Sequence, residues 1–212
     1  MNTYTLFGFK GAGSAAVELA LEAAALPYRI VNAASWEPSS ALDELRAANP
    51  MLQIPTLRLP GGGVLTESAA ILLHLGIDAA PPGRLLPADP AARAQAIRGL
   101  VYIAANCYSA IGIIDYPQRW TGIADEAGQE AVKQGARRQL HRHWEIFADT
   151  FPANPFFSGE QPGALDFLAV VVSKWAGTRA HLAQHRPAMA DALRRIETHD
   201  VVAPVFRRHW DA

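Results

Sequence analysis

The sequence has 212 residues, of which 50% are hydrophobic and 18% charged, with a formal net charge of -1. This length suits one large domain or two small ones, and the apolar content suffices for a core without disulfides. The balanced charge argues against nucleic acid and charged membrane surfaces as partners. The single cysteine, Cys107, excludes an internal disulfide and fits a reducing, cytoplasmic setting. We expect neither a signal peptide nor a membrane span, because the first residues lack a basic and apolar leader and no apolar run approaches ~20 residues.

The first 78 residues alternate strand and helix patterns in the order β-α-β-α-β-β-α. Short β-prone runs predict strands, and apolar positions with a 3.6-residue period predict helices between them. The predicted strands are 3–7, 28–31, 54–59 and 64–65, and the predicted helices begin near Ser14, Ser39 or Ser40, and Glu67. A hydroxyl at Ser39, Ser40 or Thr66 can cap the helix that follows it.

The remaining chain is predicted to be helical. A proline-rich segment without periodicity, DAAPPGRLLPADP, marks a linker. After it, segments 91–116, 125–150, 164–177 and 188–198 carry helical patterns, and no credible sheet is found. We therefore expect an α/β domain over 1–78, a linker over 79–90 and an all-α domain over 91–212.

Two features of the stretch NPMLQIPTLRLPGGGVLTESAAI require an explanation. Pro55 lies in a strand signal although proline cannot donate to a strand ladder, so it either starts the strand or forms a cis turn. A cis turn exposes the Ile54 backbone, which can then pair with an extended peptide. Glu67 and Ser68 open a helix, where they either form an ordinary acidic first turn or bind the ammonium and carboxylate of an amino acid.

Three motifs together resemble the glutathione transferase family over the whole chain. NPMLQIPTL is similar to its Asn-Pro-x-Gly-x-Val-Pro-x-Leu stretch, and LTESAAILLHL to its Leu-x-Glu-Ser-x-Ala-Ile-x-x-Tyr-Leu stretch. FFSGEQPGALDFLAV is similar to its Leu-x-Gly-x-x-x-Ser-x-Ala-Asp stretch, which begins the buried helix of the second domain. Two departures are Leu52 at the usual glycine and Gly163 at the usual capping serine, where Asp166 can reach back to the helix start.

The resemblance implies a thioredoxin-like N-terminal domain followed by an all-helical domain, with glutathione as the cosubstrate. It implies that Gln53, Ile54 and Pro55 bind glutathione, that Pro55 is in the cis form, and that the Ile54 backbone pairs with the cysteinyl backbone of glutathione. It implies that Glu67 and Ser68 hold the γ-glutamyl end.

The group that stabilises the glutathione thiolate departs from the family pattern. The usual serine and cysteine positions fall at Gly11 and Gly13, which have no side-chain donor. Ser14 is the nearest hydroxyl and the first catalytic candidate, although it can equally be the N-cap of the first helix.

Other residues are candidates for the same region. Tyr108 falls by register where some bacterial members place a histidine facing the sulfur, and Tyr4 lies near the catalytic tyrosine of other classes. Lys10 can supply a positive charge or remain a solvated loop residue, and Trp36 can close over the glycine end or be a surface aromatic. The resemblance places the second-substrate site against the first long C-terminal helix, which carries Asn106, Cys107 and Tyr108 and is followed by Tyr116 and Trp120.

The function expected from these features is that of a cytoplasmic detoxification enzyme, a homodimer that adds the glutathione thiolate to a small hydrophobic electrophile or reduces a peroxide. Two alternatives stay open. One is a glutathione-dependent isomerase, and the other is a non-catalytic member that carries ligands or binds proteins, as Gly11 and Gly13 suggest. No metal is expected, because His141 and His143 point to different faces of a helix. Membrane and nucleic acid are not expected as partners.

Overall fold

The computed structural model describes residues 3–122 and 125–211. Its first part is a four-stranded mixed sheet in the order β2-β1-β3-β4, where β1 is parallel to β2 and antiparallel to β3. The strands are β1 (Tyr4–Gly8), β2 (Tyr28–Asn32), β3 (Thr56–Arg58) and β4 (Val64–Leu65). The helices between and after them are α1 (Ser14–Ala23), α2 (Leu42–Ala48) and α3 (Ser68–His74), which continues as a π-helical turn over Leu75–Ala79.

The sheet is covered on both faces, as the alternation along β1 requires. Leu6 packs in the large core with α1 and α3, whereas the next residue, Phe7, packs on the opposite face with Ala33 and Leu45 of α2. The loops at the carboxyl end of β1 and around β3 are thereby held at one edge of the sheet.

The second part of the chain is helical within the residues that the structure describes. α4 (Pro90–Tyr102) passes through a π-helical segment (Ile103–Tyr108) into α5 (Ser109–Asp115), and these form one long helix. A short 3-10 turn (Pro117–Arg119) follows. The remaining helices are α6 (Glu126–Thr150), α7 (Ala164–Val172), α8 (Thr178–His185), α9 (Pro187–Glu197) and α10 (Ala203–Trp210).

Helix α7 lies at the centre of the molecule, and all of its residues are buried. Its Asp166 carboxylate accepts hydrogen bonds from the backbone N–H groups of Phe157 (2.8 Å), Ser158 (3.0 Å) and Gly163 (3.0 Å). The expectation that Asp166 reaches back to Gly163 is confirmed, and the same carboxylate also orders the preceding loop.

Several boundaries differ from the sequence expectations. Helices α8 and α10 were not predicted, because α8 has no apolar stripe and α10 is only two turns long. Neither Ser39 nor Thr66 caps a helix, and Ser40 instead bonds to the Ala34 and Glu37 backbone. The N-cap residues of α2 and α3 are Ala41 and Glu67.

The expectation that no segment is long and apolar enough to span a bilayer is wrong by length and composition. The continuous helix Pro90–Asp115 passes that test, and no other helix in the described part of the chain does so. Its buried side chains include Leu100, Ile103 and Cys107, which belong to the large core. Because the core helix of a soluble protein passes the same test, the finding is weak evidence for a membrane span.

Candidate functional site

A cavity of about 640 Å³ lies between the loops of the sheet and the long α4–α5 helix. The predicted site residues that line it are Trp36, Gln53, Ile54, Pro55, Glu67, Ser68 and Tyr108. Lys10 and Ser14, the other two predicted site residues, lie outside its lining. The structure therefore brings the Ile54–Pro55 turn, the start of α3 and Tyr108 together around one space.

The turn before β3 is held by the buried side chain of Asn49. Its amide nitrogen donates to the Gln53 carbonyl (3.1 Å) and to the Thr56 hydroxyl oxygen (3.0 Å). The Thr56 hydroxyl in turn donates to the Gln53 carbonyl (2.8 Å). Leu52, which stands at the family's glycine position, has a φ of 55°, and the Ile54–Pro55 peptide bond is cis. These bonds fix the turn that carries Ile54 to the cavity.

The start of α3 has an unusual backbone conformation. Glu67 has a φ of 64° and a ψ of 112°, a region that costs a non-glycine residue about 1–3 kcal/mol and recurs at ligand sites. Ser68 is buried, whereas Glu67 is exposed, and both line the cavity. Within the described residues, no side chain caps the first turn of α3. Glu67 and Ser68 thus lie side by side in the cavity wall, at the start of α3.

Ser14 is buried beneath the loop that precedes α1. Its hydroxyl accepts from the Phe9 N–H (3.1 Å) and donates to the Phe9 carbonyl (3.3 Å). The N-cap position of α1 belongs to Gly13, and Ser14 is the first helical residue. The alternative of Ser14 as the N-cap is therefore wrong, and its hydroxyl is engaged with the loop backbone.

Two other candidates near the first strand also lie away from the cavity. The exposed Lys10 ammonium is 3.4 Å from the Asp211 carbonyl oxygen. Tyr4 is buried in the large core, and this burial raises the pKa of its phenol.

Tyr108 reaches across from the long helix to the start of α1. A Cβ atom placed on Gly13 would overlap its hydroxyl oxygen, so the phenol occupies the space that a side chain at residue 13 would fill. The Trp175 ring packs against it with the ring centroids 5.8 Å apart. Burial, with a smaller effect of the Asp115 charge, raises the pKa of Tyr108, so the phenol keeps its proton at neutral pH. No hydrogen-bond partner for this hydroxyl is found among residues 3–122 and 125–211, which leaves it available as a donor.

Aromatic side chains border the two ends of the cavity. Trp36, which is 56% exposed, meets the Phe9 ring edge-on with a centroid distance of 6.0 Å. At the helical end, the Arg119 guanidinium carbon lies 4.0 Å from the Tyr116 ring centroid, and Trp120 is 62% exposed. Arg119 was not singled out from the sequence, since a single arginine after a helix carries no signal of its own.

His141, His143 and Cys107 form structural contacts. His141 Nε2 lies 3.1 Å from the Ala176 carbonyl, and His143 Nδ1 lies 3.1 Å from the Asn106 carbonyl. Burial raises the pKa of the Cys107 thiol, which fits an inert core residue. Among the described residues, no group of three or more His, Cys, Asp or Glu side chains could hold a metal ion.

Comparison with known proteins identifies the family. Residues 14–76 match the glutathione S-transferase N-terminal domain family. The chain is 34% identical over 176 residues to an uncharacterized GST-like protein, YncG, of Escherichia coli K12, covering 80% of each chain. The chain belongs to the glutathione S-transferase family. The chain is also 27% identical over 135 residues to glutathione S-transferase GstA of Escherichia coli O157:H7, covering 63% of the chain and 62% of GstA.

Solved structures show the same fold over the full length. A glutathione transferase homologue from Sulfitobacter, solved with bound glutathione, superimposes with a TM-score of 0.82 at 26% identity, covering 97% of both chains. The predicted fold class, a thioredoxin-like domain followed by a helical domain, is confirmed for this glutathione S-transferase.

Proposed function

We propose that the chain binds glutathione in the 640 Å³ cavity and adds the intact glutathione thiolate, through its sulfur, to a small hydrophobic electrophile. The observation that carries this proposal is the convergence of the cis-proline turn, the Glu67–Ser68 pair and the Tyr108 hydroxyl on one cavity in a member of this family. The Sulfitobacter homologue with bound glutathione supports the choice of ligand.

The tripeptide is recognised along the N-terminal wall of the cavity. The Ile54 backbone pairs with the cysteinyl residue, since Ile54 lines the cavity together with Gln53 and Pro55. The Glu67 carboxylate accepts from the γ-glutamyl ammonium, and the Ser68 hydroxyl donates to its carboxylate. Trp36 covers the glycine end.

The thiolate is stabilised by Tyr108. Because its hydroxyl fills the space beside Gly13 and keeps its proton, it can donate a hydrogen bond to the glutathione sulfur after the thiol has lost its proton to solvent. Such a bond favours the charged form and lowers the thiol pKa. The predicted thiolate role of Ser14 stays a prediction, and its bonds to Phe9 favour Tyr108 as the donor.

The electrophile is bound at the helical end of the cavity. Tyr116 and Trp120 offer flat apolar surface, and Arg119 brings a positive charge against it. This lining suits an aromatic or unsaturated substrate whose leaving or electron-withdrawing group carries negative charge in the transition state.

We also propose domain boundaries, a cellular location and an oligomeric state. We place the glutathione-binding domain at 1–78, the linker at 79–90 and the helical domain at 91–212, in a cytoplasmic homodimer. Sedimentation at micromolar concentration tests the dimer, because a monomer of 22.9 kDa contradicts it.

Calorimetry with glutathione, followed by conjugation of a chlorodinitrobenzene, tests the function. We expect binding that weakens by about 1–3 kcal/mol in Glu67→Gln and in Ser68→Ala, since each removes a charge-assisted hydrogen bond. Glu160→Gln is the matched control, because Glu160 is exposed and does not line the cavity. Equal affinity in all three variants places the tripeptide elsewhere.

The reaction type is tested on the same protein. Parallel assays with a peroxide and with an unsaturated acid distinguish conjugation from reduction and isomerisation. Glutathione binding without turnover in any of them supports the non-catalytic alternative, which the glycines at positions 11 and 13 favour.

A further inference from the structure

The loop of residues 9–13, which precedes α1, is hydrogen-bonded to the C-terminal helix α10 through His209. The Gly11 N–H donates to His209 Nδ1 (3.1 Å). On the other side of the ring, His209 Nε2 lies 2.7 Å from a carboxylate oxygen of Glu18 in α1. A single imidazole therefore bridges the loop and the helix that follows it.

The partners of His209 define its tautomer. A backbone N–H can only donate, so Nδ1 is the unprotonated acceptor and Nε2 carries the hydrogen that is donated to Glu18. Both side chains are buried, with His209 8% and Glu18 2% exposed. Neither hydrogen bond can readily be replaced by water, so the bond to Gly11 restrains the loop and the bond to Glu18 fixes the imidazole against α1.

Glu18 is itself firmly anchored. The Arg208 guanidinium donates to the Oε1 atom of Glu18 from Nε (3.0 Å) and Nη2 (2.7 Å), and the Tyr28 hydroxyl donates to it as well (3.2 Å). Burial acts to raise the pKa of Glu18, but the hydrogen bonds from His209 and Arg208 outweigh it and hold the pKa below its ordinary value. The carboxylate is thus an ionised, fixed acceptor for the imidazole.

The restrained loop lies directly behind the cavity. Gly11 has a φ of 72°, a left-handed conformation that favours glycine, so the chain reverses at the residue that His209 holds. Two residues later Gly13 abuts the Tyr108 hydroxyl, and Phe9 meets the ring of Trp36. A shift of this loop would move the backbone against which two cavity residues are packed.

We propose that His209 is a positioning residue for the thiolate site, acting through the Gly11 N–H to hold the loop against Tyr108. This inference rests on the proposed function, in which Tyr108 donates to the sulfur. His209 would then be a second residue that supports the thiolate site. It lies outside the cavity, on α10, a helix with no proposed contact to glutathione or to the electrophile.

Two substitutions separate the two hydrogen bonds of His209. The amide oxygen of asparagine lies close to the place of Nδ1, so His209→Asn keeps an acceptor for Gly11 and loses the bond to Glu18. The amide nitrogen of glutamine lies close to the place of Nε2, so His209→Gln keeps the bond to Glu18 and loses the acceptor for Gly11. Arg208→Gln is the matched control, because within residues 3–122 and 125–211 the Arg208 guanidinium bonds to Glu18, Glu22 and Tyr28 and forms no hydrogen bond with the loop.

The experiment measures turnover with glutathione and the exchange rate of the Gly11 amide hydrogen in the full chain. We expect His209→Gln to lower kcat about 3–10-fold with little change in the KM for glutathione, and to speed Gly11 exchange by a similar factor. His209→Asn and Arg208→Gln should stay within about twofold of the wild type in both readouts, even if their unfolding temperatures fall.

The inference is overturned by rapid Gly11 exchange in the wild type, or by His209→Gln matching the wild type in both readouts. It is equally overturned if Arg208→Gln lowers kcat as much as His209→Gln, since the effect would then be one of general stability. A wild type that turns over no electrophile contradicts the proposed function instead, while Gly11 exchange still shows whether His209 holds the loop.

Discussion

Replacing Tyr108 with phenylalanine removes one hydroxyl and keeps the ring that packs against Trp175. The lost oxygen is the atom that fills the space beside Gly13. We expect the variant to fold and to bind glutathione, because the residues proposed to bind the peptide, Ile54, Glu67 and Ser68, are unchanged. What should change is the ionisation of the bound thiol.

The size of that change follows from the strength of one hydrogen bond to a charged acceptor. Such a bond contributes about 1.5–3 kcal/mol, which equals about 1–2 units of pKa. A free thiol has a pKa of about 8.5, so the bound thiol is expected near about 6.5–7.5 in the wild type and near about 8.5 in Tyr108→Phe. Because the pKa of Tyr108 is raised by burial, the phenol is a donor throughout this range rather than a second titrating group.

Titrating the ultraviolet absorbance of the thiolate in the glutathione complex measures both pKa values directly. In parallel, kcat/KM of Tyr108→Phe should fall about 10–50-fold near pH 6.5 and approach the wild-type value above pH 9, where the thiol is ionised without help. Tyr102→Phe is the control, because its hydroxyl donates to the His143 carbonyl (2.9 Å) and Tyr102 does not line the cavity. An unchanged thiol pKa in Tyr108→Phe, or an equal loss in Tyr102→Phe, refutes the assignment.

Four further substitutions test other parts of the structure. Gly13→Ala should reduce activity at neutral pH as Tyr108→Phe does, because the new methyl group displaces the Tyr108 hydroxyl. In the same assay, the double variant with both substitutions should be no less active than either single variant. Ser14→Ala should lower the free energy of unfolding in urea by about 1–2 kcal/mol without shifting the pH profile, and a shifted profile would restore Ser14 as the thiolate donor. Asp166→Ala should lower the free energy of unfolding in urea by about 3–5 kcal/mol, since three backbone N–H groups lose a buried acceptor. A decrease of less than about 1 kcal/mol would contradict this. The pKa of Glu18 in the folded protein lies below its ordinary value of 4.5. The ionised Glu18 therefore contributes fully to stability above about pH 4.5, and this contribution is lost as the pH falls through the folded-state pKa. The difference in stability between the wild type and Glu18→Gln should accordingly disappear on acidification.

Local patterns were sufficient for the elements that depend on short-range physics. The β-prone run before the glycine loop, the proline stops and the triple-glycine turn predicted the order of strands and helices up to α3, with boundaries within a few residues. The sequence marked Leu52 as a departure from the family glycine, and the structure gives this residue a φ of 55°. The family motifs brought Ile54, Pro55, Glu67 and Ser68 into one hypothesis, and the structure places all four around one cavity.

The sequence by itself determined the family and the two-part fold, and it singled out Ile54, Pro55, Glu67 and Ser68 as one candidate site, because each depends on contiguous residues whose spacing is visible in the chain. Only the tertiary structure decided how the rest of the site is built. It showed that the Ser14 hydroxyl is held by Phe9 and that Tyr108, more than ninety residues away, fills the space left by Gly13. It also placed His209 against Gly11, across almost the whole length of the chain. Such pairs leave no periodic or local signal, since side-chain complementarity between distant segments arises only when the packing of α1, α10 and the long helix brings them into contact.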